Sequence, residues 1–177
     1  GFDGKQVWLT PSLDKSPSKS PRFYHNLWFY FASIPFVFSD PGVNAEDLPP
    51  AVIGGKEYNK IKISFESAVG DSPKDQYLLY TDPNTHQVKM INYSVTYYDS
   101  TRADNYNALV YEDYVEVYGL MVPGKLTGYK WQDNQLGDLR YETFISDYQF
   151  SQQQPIQEMF EIPKKQAQIY IDTLGVN

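Results

Sequence analysis

The chain has 177 residues, 15 basic and 22 acidic, for a net charge of −7, and it contains no cysteine. A chain of this length buries one substantial core unaided, and neither a disulfide framework nor a thiolate site is possible. The acidic balance, without a Lys/Arg stripe, argues against nucleic acid or an anionic membrane as partner, and no apolar run is long enough for a transmembrane segment.

Aromatic residues are abundant: 16 Tyr, 10 Phe and 3 Trp. Tyr and Phe favour pleated, half-buried surfaces, so a β-rich protein with aromatic cross-strand pairs is expected. Rings exposed on a surface would instead bind sugar or lipid.

The sequence opens Gly1-Phe2-Asp3-Gly4-Lys5, without Met or an apolar leader segment. The expectation is that a targeting segment was removed or that the chain begins inside a longer protein. Asp3-Gly4 is a hairpin-turn dipeptide, and residues 5–10 alternate with Val7 and Leu9 on one face, as a returning strand would. Residues 11–20 are a polar loop with Pro11 and Pro17.

Ser20-Pro21 reads as a helix cap followed by proline at the first helical position. Phe23, Leu27, Phe31 and Ile34 then recur at helical spacing, while Tyr24, Trp28, Phe29 and Tyr30 fill the other face. A helix apolar nearly all round is expected to be buried or covered. Pro35 ends or kinks it, Phe36, Val37 and Phe38 prolong the greasy stretch, and Ser39-Asp40-Pro41-Gly42 breaks it. The spacing therefore predicts one apolar helical segment over residues 21–38.

From residue 51 the pattern is β. Gly54-Gly55 is a turn that needs positive φ. Residues 60–65 alternate with Ile61, Ile63 and Phe65 on one face, and 76–81 form a short strand. Asp82-Pro83-Asn84-Thr85 is a turn, with His86 as a turn residue. Residues 88–98 read as one long strand, with Ile91, Tyr93, Val95 and Tyr97 on one side. A polar loop at 99–105 leads to a strand over 106–118, broken at Gly119. A strand over 122–131, the turn Asp133-Asn134-Gln135 and a strand over 139–150 follow. Long strands joined by short turns make an antiparallel meander, and strands of this length imply a strongly curved sheet. In the tail, Ala167, Tyr170, Ile171 and Leu174 give a predicted helix from about 163 to 174 one modest apolar face.

Little in the chain reads as chemistry. Two isolated histidines, His25 and His86, make a transition-metal site improbable. There is no nucleophile elbow, P-loop or dinucleotide fingerprint. Glu112, Asp113 and Glu116 fall on one predicted strand and read as a solvated face rather than a glycosidase pair. The acidic loops at 71–75 and 99–104 lack the ligand spacing of an EF-hand. Asn92-Tyr93-Ser94 matches the glycosylation triplet but lies inside a strand. No cofactor and no metal are expected.

The informative feature is one all-round apolar helix beside one long sheet. A helix lying over a concave antiparallel sheet makes a half-barrel with an apolar interior, which either packs solid or holds a hydrophobic ligand. The residues expected to line that space are Trp8, Phe23, Leu27, Trp28, Phe31, Ile34, Phe36 and Phe38.

Several segments carry a resemblance. Asp3-Gly4-Lys5 through Trp8, the aromatic helix ending Asp40-Pro41-Gly42, Val69-Gly70-Asp71-Ser72-Pro73 and residues 77–83 followed by 93–97 resemble an uncharacterised family of secreted proteins from Bacteroidetes, over about residues 1–163. The element order is also similar to the lipoprotein carrier LolA and receptor LolB, and to the mycobacterial lipid carriers LppX and LprG. The counterparts are Asp3-Gly4 with Trp8, the helix from Pro21, and Phe160-Glu161-Ile162-Pro163. LolA-like proteins carry a helix and several strands before the Asp-Gly segment, and this chain lacks them.

The resemblance implies a mainly β (α+β) fold, a LolA-like half-barrel over 1–163 lacking an N-terminal part; the tail over 164–177 is expected to be helical from its own apolar spacing. It implies an exported, non-enzymatic protein of the periplasm or outer membrane that binds an acyl chain, a lipid or a lipoprotein anchor. The alternative is a glycan- or protein-binding module using exposed Tyr and Trp on the outer sheet face; Tyr114, Tyr118, Tyr129 and Trp131 exposed in a row would favour it. If the LolA pattern holds, the strand at 5–10 has one unpaired edge, which invites truncation of a precursor, a strand-edge homodimer, or cover by the segment after Pro155. Truncation is the expectation favoured.

Overall fold

A computed structural model describes residues 1–16, 18–154, 156, 160–163 and 168–170. The chain divides into two compact units, one of residues 1–34 with 150–177 and one of residues 35–149.

In the first unit, β1 (Val7–Leu9) pairs antiparallel with a strand at Gln168–Tyr170, Val7 lying opposite Tyr170. On its other side the Trp8 N–H donates to the Gly1 carbonyl at 2.9 Å, the Gly1 amino group donates to the Trp8 carbonyl at 2.8 Å, and Phe2 bridges to Val7. Asp3 closes the tight return by accepting from the Lys5 and Gln6 N–H groups. Both edges of β1 are thus occupied, which corrects the expected open edge; a segment after Pro155 covers one of them. The same pairing corrects the predicted helix at 163–174 over its described part. Gln-Ile-Tyr suits a strand by propensity, and ladder bonds to β1 outweigh one weak helical face. The rest of that predicted helix lies outside the described residues.

The helix α1 spans Pro21–Ser33, and Ser20 caps it by accepting from the Phe23 N–H at 3.2 Å. It stops short of residue 38 because Pro35 has no N–H to continue the ladder; a 3₁₀ turn at Phe36–Ser39 follows in the second unit. Along α1, Tyr24, Trp28 and Phe31 meet edge to face, with centroids 6.3 Å apart at each step. Phe31 and Ile34 are buried, but Phe29 is 70% exposed, so the helix is not covered on all sides as its composition suggests.

The second unit is an open, fully antiparallel sheet of seven strands: β2 (Val43–Ile53), β3 (Lys56–Phe65), β4 (Tyr77–Thr81), β5 (Val88–Tyr93), β6 (Asn107–Glu112), β9 (Lys125–Gln132) and β10 (Gln135–Phe144). They lie side by side in chain order, as a meander does. A separate hairpin, β7 (Val115–Val117) with β8 (Leu120–Val122), projects between β6 and β9, and Gln168–Tyr170 is β11. The turns follow the sequence signals: Gly54 and Gly55, Tyr118 and Gly119, and Asp133 and Asn134 all take positive φ, as tight hairpin turns require.

Three boundaries differ from the reading. β2 was not expected, because Glu46, Asp47 and Pro49-Pro50 weaken any strand pattern; it exists as an edge strand, where a register jump between Leu48 and Ala51 absorbs the prolines. β5 ends at Tyr93 rather than 98. Beyond it the ladder gives way to side chains: Ser94 Oγ accepts from the Gln76 N–H, and the Asp75 carboxylate accepts from the Thr96 N–H and hydroxyl, each at 2.6 Å. The strand expected over 106–118 breaks earlier, at Asp113 with φ 51°, so Glu112 and Glu116 belong to different strands.

One face of the sheet is the main core: Ile63, Tyr77, Leu79, Ile91, Tyr93, Leu109, Tyr111 and Leu126 are all buried there. An aromatic chain crosses it, with Phe38 and Phe65 edge-on to Tyr77, Tyr77 stacked on Tyr93 at 6.4 Å, and the Tyr93 hydroxyl 3.2 Å from that of Tyr141. Tyr141 reaches inward because the residue facing it on β9 is Gly128, where any Cβ would collide with the Tyr141 ring. Gly128→Ala is therefore expected to cost about 1–3 kcal/mol, the usual price of overpacking. Urea denaturation checks it, and unchanged stability would mean the Tyr141 ring is free to move aside.

Candidate functional site

Directly opposed residues of antiparallel strands share a face, so the registers also define the second face. Lys60, Tyr80, Met90, Val110 and Thr127 lie across β3, β4, β5, β6 and β9 in one row, and Leu78, Asn92, Ala108 and Tyr129 in the next. This face is apolar too. Tyr80, Met90 and Ala108 are buried, and Ala51, Ile53, Tyr58, Leu78, Val110, Tyr129 and Trp131 pack around them, half-buried. The rings of Tyr80 and Trp131 stand 6.4 Å apart, although β5 and β6 separate their strands. The small Ala108 between them leaves the room for that approach. On β10, opposite Trp131 and Tyr129, Leu136 and Leu139 continue the face, the latter 58% exposed.

A polar frame fixes the centre of this face. The Tyr80 hydroxyl donates to Asn92 Oδ1 at 2.7 Å, and Asn92 Nδ2 donates to the Asn107 carbonyl at 3.3 Å. Asn92 is fully buried, so its glycosylation triplet is spent on structure. The Lys60 ammonium stands 5.8 Å over the Tyr80 ring, and Lys62 lies on the same face, opposite Leu78. Toward the β10 side, Lys125 meets Glu142 at 2.6 Å and Glu112 at 3.6 Å, and the Thr127 hydroxyl donates to Glu112. Glu112 is thus held between an ammonium and a hydroxyl.

Burial pushes the Tyr80 phenol up to about 12, and also raises those of Tyr93, Tyr111 and Tyr114. None of these supplies a phenolate near neutral pH. Among the described residues no three His, Asp or Glu side chains gather as a metal site. A cleft of about 440 Å³ beside β2 and β3 mixes Asp47, Lys60 and His86 with Leu48, Pro50 and Ile61, and none of the expected lining residues borders it.

The expected lining residues divide between the units. Trp8, Phe23, Leu27, Trp28, Phe31 and Ile34 belong to the first, where Trp28 touches Phe31. Phe36 and Phe38 belong to the second; Phe36 is 46% exposed, and Phe38 packs on Tyr77 in the sheet core. Trp8 is half-buried, and its indole N–H has no hydrogen-bond partner among the described residues. The row of exposed rings that would favour a glycan is not assembled. Tyr118 is 82% exposed on the β7–β8 hairpin, the Tyr114 hydroxyl is tied to the Val88 carbonyl at 2.6 Å, and Tyr129 with Trp131 is half-buried. Sequence reading missed Tyr58, Tyr80, Met90 and Ala108. The signal was present: the residues left over once the core face of each strand is assigned are themselves apolar.

The model of a family of unknown function (DUF6503) matches residues 13–123, more than half of the chain, and the chain belongs to that family. No curated protein and no solved structure matches it.

Between β3 and β4, burial raises the Asp75 carboxyl above its ordinary range, against the lowering effect of its Thr96 hydrogen bonds. The folded state therefore holds the proton more tightly than the unfolded chain does. Asp75 favours folding least once ionised, so its contribution falls as pH rises through the raised pKa. Asp75→Asn, which keeps an acceptor for Thr96, is expected to be more stable than wild type at pH 7, with the gap closing toward pH 4. Thermal unfolding across that range checks it; a variant less stable at pH 7 contradicts it.

Proposed function

We propose that this member of the DUF6503 family is a non-enzymatic binding protein that holds a hydrophobic or amphipathic ligand, such as an acyl chain or lipid anchor, on the second face of its sheet. The carrying observation is that this face is apolar and partly open. Tyr58, Tyr129 and Trp131 rim a buried floor of Tyr80, Met90 and Ala108. An antiparallel sheet normally has one core face and one polar, solvated face. A second apolar face left partly exposed marks a place where something binds. Lys60, over Tyr80 at one side of the floor, suits a ligand with a carboxylate or phosphate head and an apolar tail.

The half-barrel curvature of the sheet and export to the periplasm or outer membrane belong to the same proposal and rest on the sequence resemblance. A second reading is favoured by one observation: Tyr58, Tyr129 and Trp131 are aromatic and half-exposed, as sugar-stacking rings are. The two readings differ in what the rings contact.

Titration with a fluorescent fatty acid, and competition by soluble oligosaccharides, separates them. The lipid reading expects saturable uptake by wild type. It expects Trp131→Ala and Tyr129→Ala each to weaken uptake by about tenfold while the fold is kept, and Trp28→Ala to leave it unchanged. Displacement by an oligosaccharide, or no fatty acid uptake at all, would favour the glycan reading or neither.

A further inference from the structure

We propose that the β7–β8 hairpin is a docking tip for the interfacial layer of a zwitterionic lipid bilayer. Four of its large apolar side chains are exposed, Tyr118 at 82%, Val115 and Met121 at 45%, and Leu120 at 40%, while Val117 is half-buried and Val122 at the root is buried. The ladder pairs Val115 with Val122, Glu116 with Met121 and Val117 with Leu120. Val115 and Leu120 therefore lie on one face of the ribbon, Met121 on the other, and Tyr118 on the turn. A protein groove would cover one face of such a ribbon, and an added strand would pair with its edge and leave both faces open. Apolar groups on both faces and at the apex suit a medium that surrounds the tip.

The charge pattern selects the kind of surface. Residues 113–124 contain no Lys or Arg, and Asp113 and Glu116 are acidic, so an anionic bilayer would repel the tip. Depth follows from the backbone. A two-stranded ribbon leaves the outer N–H and C=O groups of each strand without ladder partners, which hydrocarbon would not tolerate. The tip therefore stops among headgroups, where the amphipathic Tyr118 ring is best placed.

The root is built to present the tip rigidly. The Gly124 N–H donates to the Asp113 carbonyl and the Ile145 N–H to the Gly124 carbonyl, each at 2.9 Å. The Tyr114 hydroxyl donates to the Val88 carbonyl and the Tyr148 hydroxyl to the Pro123 carbonyl. Both ends of the hairpin are therefore tied to the sheet unit, and little order has to be acquired on contact.

The test is flotation of the full chain with neutral phosphatidylcholine vesicles. Wild type is expected to float with them and to be insensitive to added salt. The variant Tyr118→Ser/Leu120→Ser/Met121→Ser, with an unchanged circular-dichroism spectrum, is expected to partition at least about tenfold more weakly. In a Tyr118→Trp variant, emission should shift to the blue on adding vesicles and be quenched by shallow brominated lipid. Failure of wild type to float, equal flotation of the triple variant, or preference for anionic vesicles overturns the proposal. So does wild-type self-association that the triple variant abolishes without any flotation. Fatty acid uptake in vesicle-free solution is read on the same variants, so loss of docking and loss of ligand binding are distinguished.

Discussion

A β-strand has two faces, and in the central strands here both are apolar. Ile91, Leu109 and Leu126 sink into one core, while Met90, Ala108 and Tyr80 close a second floor on the other side. Both sets must leave water for the sheet to be stable, at roughly 25 cal/mol for each Å² of apolar surface. The first is fully buried. The second is buried at its centre and open at its rim, because its outer members are large rings that only half cover one another. The aromatic content, the placement of Gly128 and Ala108, and the candidate site all follow from packing rings on both faces of one layer.

Small residues do the spacing. Gly128 lets Tyr141 lean over the core face to meet Tyr93, and Ala108 lets Trp131 approach Tyr80 on the other. Polar groups within the layers are paired rather than free: Tyr80 with Asn92, Tyr93 with Tyr141, Asp75 with Thr96. These pairs fix side chains that would otherwise repack.

Much of this was legible in the sequence. Gly54-Gly55 and Asp133-Asn134 marked hairpins, Ser20-Pro21 marked the helix start, and alternation at Ile61, Ile63 and Phe65 marked a core face. Other elements were hidden by opposing local signals. β2 carries two prolines and two acids, tolerable only because it is an edge. Residues 94–98 alternate like a strand, but Asp75 and Ser94 supply side-chain hydrogen bonds in place of the ladder. Gln168–Tyr170 is too short to announce itself and depends on β1. The candidate site escaped for a different reason. Assigning one face of each strand to the core leaves the other as solvent-facing by default, and the greasiest stretch of the chain, α1, drew attention away from Tyr58, Tyr80 and Met90.

The three tryptophans sit at the competing places: Trp8 on β1, Trp28 on α1 and Trp131 on β9. Their indole N–H signals in a ¹⁵N-correlation spectrum, followed during titration with an unlabelled fatty acid, report on each separately. The account predicts that the Trp131 signal shifts saturably while those of Trp8 and Trp28 stay in place. A shift of Trp28 or Trp8 with Trp131 unmoved would put the ligand against the helix or β1 and contradict binding on the second face of the sheet.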